Sequence, residues 1–266
     1  MRRERAPIWI AILAAIGAAF FVVPLIGLVV KTPWGDALQS LTSTDTLEAL
    51  KLSLIASLSA TAVSLVLGVP LAWIYARIDF PGRTVLRALT TLPMVLPPVV
   101  GGIALFLAFG RRGLVGSLLD TTFGITLPFT TAGVVFAETF VAMPFLVLTV
   151  EAGLRSMDRR YEDAARTLGA RRWTVFTRVT LPLIAPSLLA GAVLCWARAL
   201  GEFGATITFA GNFPGTTQTM PLAVYLALQS NPEGAIVLSL VLLFVSLATL
   251  LLLRDRWLGR SGSPVT

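Results

Sequence analysis

Residues 161–183 read YEDAARTLGARRWTVFTRVTLPL, a charged passage set between long runs of Leu, Val, Ile, Ala, Phe and Gly. Those neighbouring runs decide the fold class. The chain has 266 residues, 56% hydrophobic and only 13% charged, with a mean hydropathy of +0.83. A soluble core would have to bury several apolar runs of about twenty residues, whereas a bilayer accepts each as a spanning helix with its backbone groups bonded internally. The runs predict helices near residues 8–30, 52–76, 85–109, 130–153, 183–209 and 235–253. The quoted passage is then the longest loop, about residues 154–182, between the fourth and fifth spans. The first run follows Arg2, Arg3 and Arg5 and extends to Val30, past the length of a signal core, so it reads as an uncleaved anchor.

Basic residues near helix ends stay on the cytoplasmic side. With both termini inside, the inner segments hold 16 of the 21 lysines and arginines: 2, 3, 5, 77, 83, 87, seven between 155 and 178, then 254, 256 and 260. Lys31, Lys51, Arg111 and Arg112 fall outside, and Arg198 lies within the fifth span. The net charge of +7 therefore reflects topology and requires no nucleic-acid partner. The chain has no His, and its single Cys195 sits in an apolar span, so neither a disulfide framework nor a His/Cys metal site can be built. Hydrolytic triads lack their base. The two lysines lie in VVKTP and ALKLS with no glycine-rich loop ahead of them, so any ATP used is bound by another chain.

Within the loop, Met157, Tyr161, Ala164, Ala165 and Leu168 share one face of a helix, with Asp158, Arg159, Glu162, Asp163 and Arg166 on the rest. Gly169 suits the left-handed position just past the helix end. A second short helical piece, with Trp173 and Phe176 against apolar material, leads to Leu181-Pro182, so the chain is expected to turn at Gly169 and again near Pro182. Two readings fit this amphipathic helix. It lies in the membrane interface with arginines at anionic headgroups, or it docks on a cytoplasmic partner, for which the two small alanines make a shallow apolar face.

The passage resembles the EAA loop of ABC-importer permeases, in which Glu-Ala-Ala is followed by three residues, Gly, nine residues, Ile, one residue and Leu-Pro. Asp163-Ala164-Ala165, Gly169, Val179 and Leu181-Pro182 reproduce each spacing, with Asp for Glu and Val for Ile, and the adjacent Glu162 is able to share the carboxylate's role. The resemblance implies that Glu162, Asp163, Ala164, Ala165, Gly169, Leu181 and Pro182 form a coupling helix and its exit, seated in a groove on a separate ATPase subunit. LPMVLPPVVGG at 92–102, FGITLPF at 123–129, ARALGEFGATITFAGN at 197–212 and TMPLAVYLALQS at 219–230 are similar to the molybdate group of these permeases, with the sulfate group close by. The resemblance implies an all-α, polytopic membrane protein with about six transmembrane helices and the type I ABC-importer permease architecture. The whole chain, 1–266, would be a single transmembrane permease domain of a bacterial or archaeal plasma (inner) membrane. It would act as a homodimer with cytoplasmic ATPase subunits and an extracytoplasmic oxyanion-binding protein, itself binding no cofactor, with ATP and Mg on the ATPase.

Other residues point to a pathway on physical grounds. Pro93, Pro97, Pro98, Gly101 and Gly102 interrupt the third span and free carbonyls, which at membrane depth need protein or a water-filled cavity to cover them. A pathway wall and a packing kink both fit. Arg198 and Glu202 stand four residues apart in the fifth span, either as a structural lock or as a functional pair; Glu138 and Glu151 are weaker candidates near the ends of the fourth. Gly204, Thr206, Thr208, Gly211 and Asn212 offer small, neutral hydrogen-bonding groups that pass a divalent oxyanion without trapping it. Residues 116–130 and 210–219 form outer loops able to meet a binding protein, and SGSPVT is a short polar tail.

Overall fold

Unbroken apolar runs become the long helices, and each Pro-rich or Gly-rich passage becomes a break. The computed structural model describes residues 7–258, with side chains as far as Ala248. Arg2, Arg3, Arg5, Arg260 and the tail from Ser261 lie outside the described residues, as do the side chains of Arg254 and Arg256. Helix α1 (Ile8–Val30) buries none of its residues against the rest of the chain, leaving an apolar surface that suits lipid. A short amphipathic helix, α2 (Trp34–Thr42), leads into α3 (Thr44–Arg77), whose 34 residues span about 50 Å.

The third expected span, 85–109, is not one helix. It is α4 (Arg83–Thr91), a 3-10 turn at Leu92–Met94 and α5 (Pro98–Phe109), with the two halves bent by 119°. Pro97 and Pro98 cause this: neither has an N–H to continue the ladder, and residues before Pro are pushed out of the helical region. At 12 residues α5 is about 18 Å long, too short to cross a bilayer core of about 30 Å alone. Beyond it come α6 (Gly116–Phe123) and α7 (Thr131–Ser156), the latter capped by Thr130 Oγ1, which accepts from Gly133 N–H at 3.0 Å.

The loop after α7 forms α8 (Arg160–Thr167) and α9 (Arg172–Val175), then a π-helical stretch at Phe176–Thr180 that runs straight into α10 (Leu181–Leu200). Residues 172–200 thus make one helical run, and the second turn expected near Pro182 does not occur. The wider π turn carries the chain into α10, with Leu181 N–H bonded to Phe176 O. The fifth span also ends early: it breaks at Gly201–Phe203 and resumes as α11 (Gly204–Phe209), after which α12 (Met220–Ser230) and α13 (Pro232–Leu258) complete the order. Among the described residues, α1, α3, α7 and the 172–200 run are long and apolar enough to cross a membrane; the bent α4–α5 pair makes a fifth span. Helix α13 stands where the sixth was expected, with Pro232–Ala248 as its described apolar part.

Helices α3, α7 and α10 enclose the core, built on Tyr75, Leu146, Val150, Leu154, Ile184 and Cys195. The buried face of α3 is a column of small residues, Ala49, Ser53, Ala56, Ser57, Ala60, Ser64 and Gly68, which lets the neighbouring backbones approach closely. In lipid no hydrophobic drive separates helix from helix, so such close packing carries the association. The length of α3 places α8, at its Arg77 end, far from α2, at its Thr44 end.

Candidate functional site

Helix α8 starts where Asp158 Oδ1 accepts the Arg160 N–H at 3.0 Å. It ends where Gly169, at φ 83°, takes the left-handed position, and Gly169 N–H bonds Arg166 O at 2.9 Å while Ala170 N–H bonds Ala165 O at 3.0 Å. That pair of bonds closes the last carbonyls, as expected for Gly past a helix end. Eight residues form a marginal helix on their own, so α8 depends on what it is anchored to.

The anchor is Glu162. Its side chain is 6% exposed, and its Oε1 accepts from Arg77 Nη2 at 3.3 Å and from the Thr180 hydroxyl at 2.7 Å. One carboxylate thereby ties α8 to the end of α3 and to the π-helical stretch before Leu181-Pro182. Asp163, which falls on the motif's carboxylate position by spacing, points outward and pairs only with Arg166, at 3.2 Å. Sequence spacing singled out neither Arg77 nor Thr180. Arg77 was legible only as one of many basic residues at span ends, and Thr180 carried no signal.

With Glu162 inward, the opposite face of α8 points out. Tyr161, Ala164 and Leu168 are exposed, Leu168 at 88%, and Ala165 is half-buried. Trp173 was expected against apolar material; it is 74% exposed, its ring tilted by 34° to that of Phe176 at 6.0 Å, because the π turn directs Val175 and Thr180 inward instead. An exposed Tyr, Leu and Trp beside two alanines form an apolar patch at a charged end of the molecule.

Arginines stabilise that end. Tyr75 O, near the C-terminus of α3, accepts from Arg155 Nη2 at 3.0 Å and also from Arg83, and Ala76 O accepts from Arg159 Nη2 at 3.3 Å. Cations are favourable where a helix exposes its last carbonyls. Glu151, buried, pairs with Arg87 of α4 at 3.1 Å and Arg155 at 2.8 Å, which makes it a structural tie between α4 and α7.

The second group of candidate residues lies where α5 meets α11. A Cβ on Gly204 would stand 2.6 Å from Pro98 Cβ, and one on Gly102 would stand 1.6 Å from Thr208 Oγ1, so the two short helices touch backbone to backbone. Pro98 and Thr208 meet there; Pro97 sets the α5 entry and accepts Gly101 N–H at 3.1 Å. Glu202 sits in the break between α10 and α11: Oε2 lies 2.6 Å from Arg198 Nη2, and Oε1 accepts the Ala205 N–H at 2.8 Å. The carboxylate is therefore both paired and an N-cap of α11. Thr206 Oγ1 and Glu138 Oε2 are buried without hydrogen-bond partners among the described residues. No group of acidic, His or Cys side chains there holds a metal ion, among the described residues.

Known proteins resemble the chain throughout. Residues 64–261 match the family of binding-protein-dependent transport system inner membrane components. The molybdenum transport system permease protein ModB of Mycobacterium tuberculosis (strain ATCC 25618 / H37Rv) is 46% identical over 242 residues, covering 90% of each chain. The sulfate transport system permease protein CysT of Escherichia coli (strain K12) is 38% identical over 226 residues, covering 83% of this chain and 81% of that one. In fold, a chain of a bacterial ABC transporter that imports the acidic polysaccharide alginate superposes with a TM-score of 0.72 at 21% identity, covering 96% of both chains.

Proposed function

Since the chain belongs to the family of binding-protein-dependent transport system inner membrane components, we propose that it is the membrane-spanning permease subunit of an ATP-driven ABC importer for molybdate. The greater likeness to the molybdenum permease than to the sulfate permease supports that substrate, and tungstate, of nearly the same size and charge, falls within its range. Two copies of the chain enclose the pathway, a cytoplasmic ATPase subunit binds ATP and Mg, and an extracytoplasmic binding protein delivers the anion. The chain itself is a transport subunit, not an enzyme.

The observation that carries the coupling role is an apolar stripe held outward on a short helix that is anchored inward by one buried carboxylate. Ala164, Ala165 and Leu168 enter the ATPase groove, Glu162 holds the helix on α3 and α10, and Gly169 fixes its end. Leu181 and Pro182 continue the π turn into α10, so a push on α8 moves a span. Asp163 stands at the rim of the contact, paired with Arg166. Nucleotide binding closes the two ATPases, the two coupling helices approach, and the pathway opens outward; release of hydrolysis products returns it to the inward state.

Along the pathway, Pro97 and Pro98 break the third span so that α5 lies against α11, and Thr206 and Thr208 offer neutral donors to the anion. Arg198 cancels the charge of Glu202, which leaves no net negative charge to repel a dianion and no unpaired arginine to trap it. In vesicles holding the purified chain alone, the reading predicts no molybdate uptake under any ion gradient. Adding the cognate ATPase, ATP and binding protein restores it; uptake by the chain alone would make it a secondary transporter.

A further inference from the structure

At the end of the bundle remote from α8, a cavity of about 620 Å³ opens between α2, the start of α3, the segment carrying Pro214 and Gln218, and the α12–α13 junction. Three elements each contribute a carboxylate to its wall: Asp36 from the first turn of α2, Asp45 from the first turn of α3, and Glu233 from the first turn of α13. None of them has an ion-pair partner among the described residues, and no Lys or Arg stands in the wall. In a chain of net charge +7, this is an unneutralised acidic recess.

Gln218 supplies an independent sign. It stands in the same wall, is only 8% exposed, and its carboxamide has no hydrogen-bond partner among the described residues. A buried amide is costly unless something completes its hydrogen bonds, so the recess is built for an occupant with polar groups. A bare metal ion does not fit, because no three acidic, His or Cys groups among the described residues converge to hold one. A free dianion is repelled by three carboxylates. A guanidinium or ammonium on a side chain fits: its spread N–H donors reach carboxylates standing apart on different helices and the Gln218 carbonyl together.

We propose that this recess receives basic side chains of the extracytoplasmic binding protein. The inference rests on the importer reading, in which the α2 end faces outward, and adds the chemistry of the contact: an acidic socket on the permease, a basic prong on its partner. Charge complementarity of this kind speeds encounter and fixes orientation, and it weakens with salt.

The test uses the permease–ATPase complex in lipid nanodiscs and its purified cognate binding protein. Affinity is measured across a salt series for the wild type and for the triple variant Asp36→Asn, Asp45→Asn, Glu233→Gln. Three partly exposed pairs worth about twofold each predict a loss of about tenfold in affinity and a flatter salt dependence, with ATPase assembly unchanged. Each single neutralisation is read the same way, about twofold, should the triple variant fail to fold. Unchanged affinity and salt slope in assembled variants overturn the socket while leaving the importer reading intact. A wild type that assembles yet never binds the binding protein defeats the importer reading itself. A change in the oligomeric state of the variant, with affinity unaltered, places the recess between copies of the chain and also overturns the proposal.

Discussion

Replacing Glu162 with Ala removes the one acceptor that Arg77 and Thr180 share, at 3.3 and 2.7 Å. The side chains of Arg77 and Glu162 are 8% and 6% exposed, so water and salt screen this pair little. Removing one member of a buried pair costs about 3–5 kcal/mol, because the other charge is stranded. The Thr180 hydroxyl loses about 1 kcal/mol more. A total near 4 kcal/mol falls on a helix of eight residues that has little stability of its own, so the expected result is undocking of α8 while the membrane bundle stays folded. By the usual tenfold per 1.4 kcal/mol, the undocked population rises up to roughly a thousandfold. Hydrogen–deuterium exchange over residues 160–169 of the purified complex reads this directly, and retention of the partner ATPase reads its consequence. Glu162→Gln keeps an acceptor for both donors and loses only the charge, so its effect is smaller. Asp163→Asn disturbs an exposed pair worth at most about 0.5 kcal/mol and changes exchange by about twofold. Replacing both Glu162 and Arg77 with Met removes the stranded charge and restores much of the docking. If Asp163→Asn undocks α8 as much as Glu162→Ala does, the assignment of the anchor to Glu162 is wrong.

Gly169→Val places a β-branched residue at φ 83°, a backbone cost of at least about 1–2 kcal/mol, with nothing within 4 Å for the side chain to strike. Insertion into the membrane should be normal and ATPase co-purification reduced; unchanged assembly and uptake would count against the coupling role. Gly102→Ala puts a Cβ 1.6 Å from Thr208 Oγ1 and 2.9 Å from Ala205 O; rotating Thr208 relieves only the first contact. An overpacking cost of about 1–3 kcal/mol should lower the thermal midpoint in detergent, and an unshifted midpoint would refute the close α5–α11 contact. Glu202→Gln leaves an acceptor for Ala205 N–H but strips Arg198 of its counter-charge, at a cost of about 2 kcal/mol. Reduced membrane yield marks the pair as a lock, whereas normal yield with altered uptake assigns it to the pathway.

The apolar runs 8–30, 52–76 and 130–153 could be read from sequence because a span needs only length and hydrophobicity, and α1, α3 and α7 contain them. The third and fifth spans could not be read as they are. Hydropathy averages across Pro97-Pro98 and across Gly201–Phe203, while bend angle depends on which helix packs in the angle, here α11 against α5. Helix α2 was missed because nine residues of mixed polarity carry little periodic signal. At the coupling loop, periodicity located the stripe of Tyr161, Ala164 and Leu168 correctly but says nothing of what covers it. Motif spacing favoured Asp163 as the carboxylate, whereas the turn of the helix that meets α3 brings Glu162 inward. A partner 85 residues away in the chain, Arg77, leaves no trace in local pattern.

Uptake of labelled molybdate into vesicles containing the permease, its ATPase, ATP and the binding protein, in competition with sulfate and tungstate, tests the central claim most directly. The account predicts ATP-dependent accumulation that excess tungstate displaces and equal sulfate leaves nearly unchanged. Accumulation that sulfate displaces as well as molybdate does, or that proceeds without ATP, would contradict it.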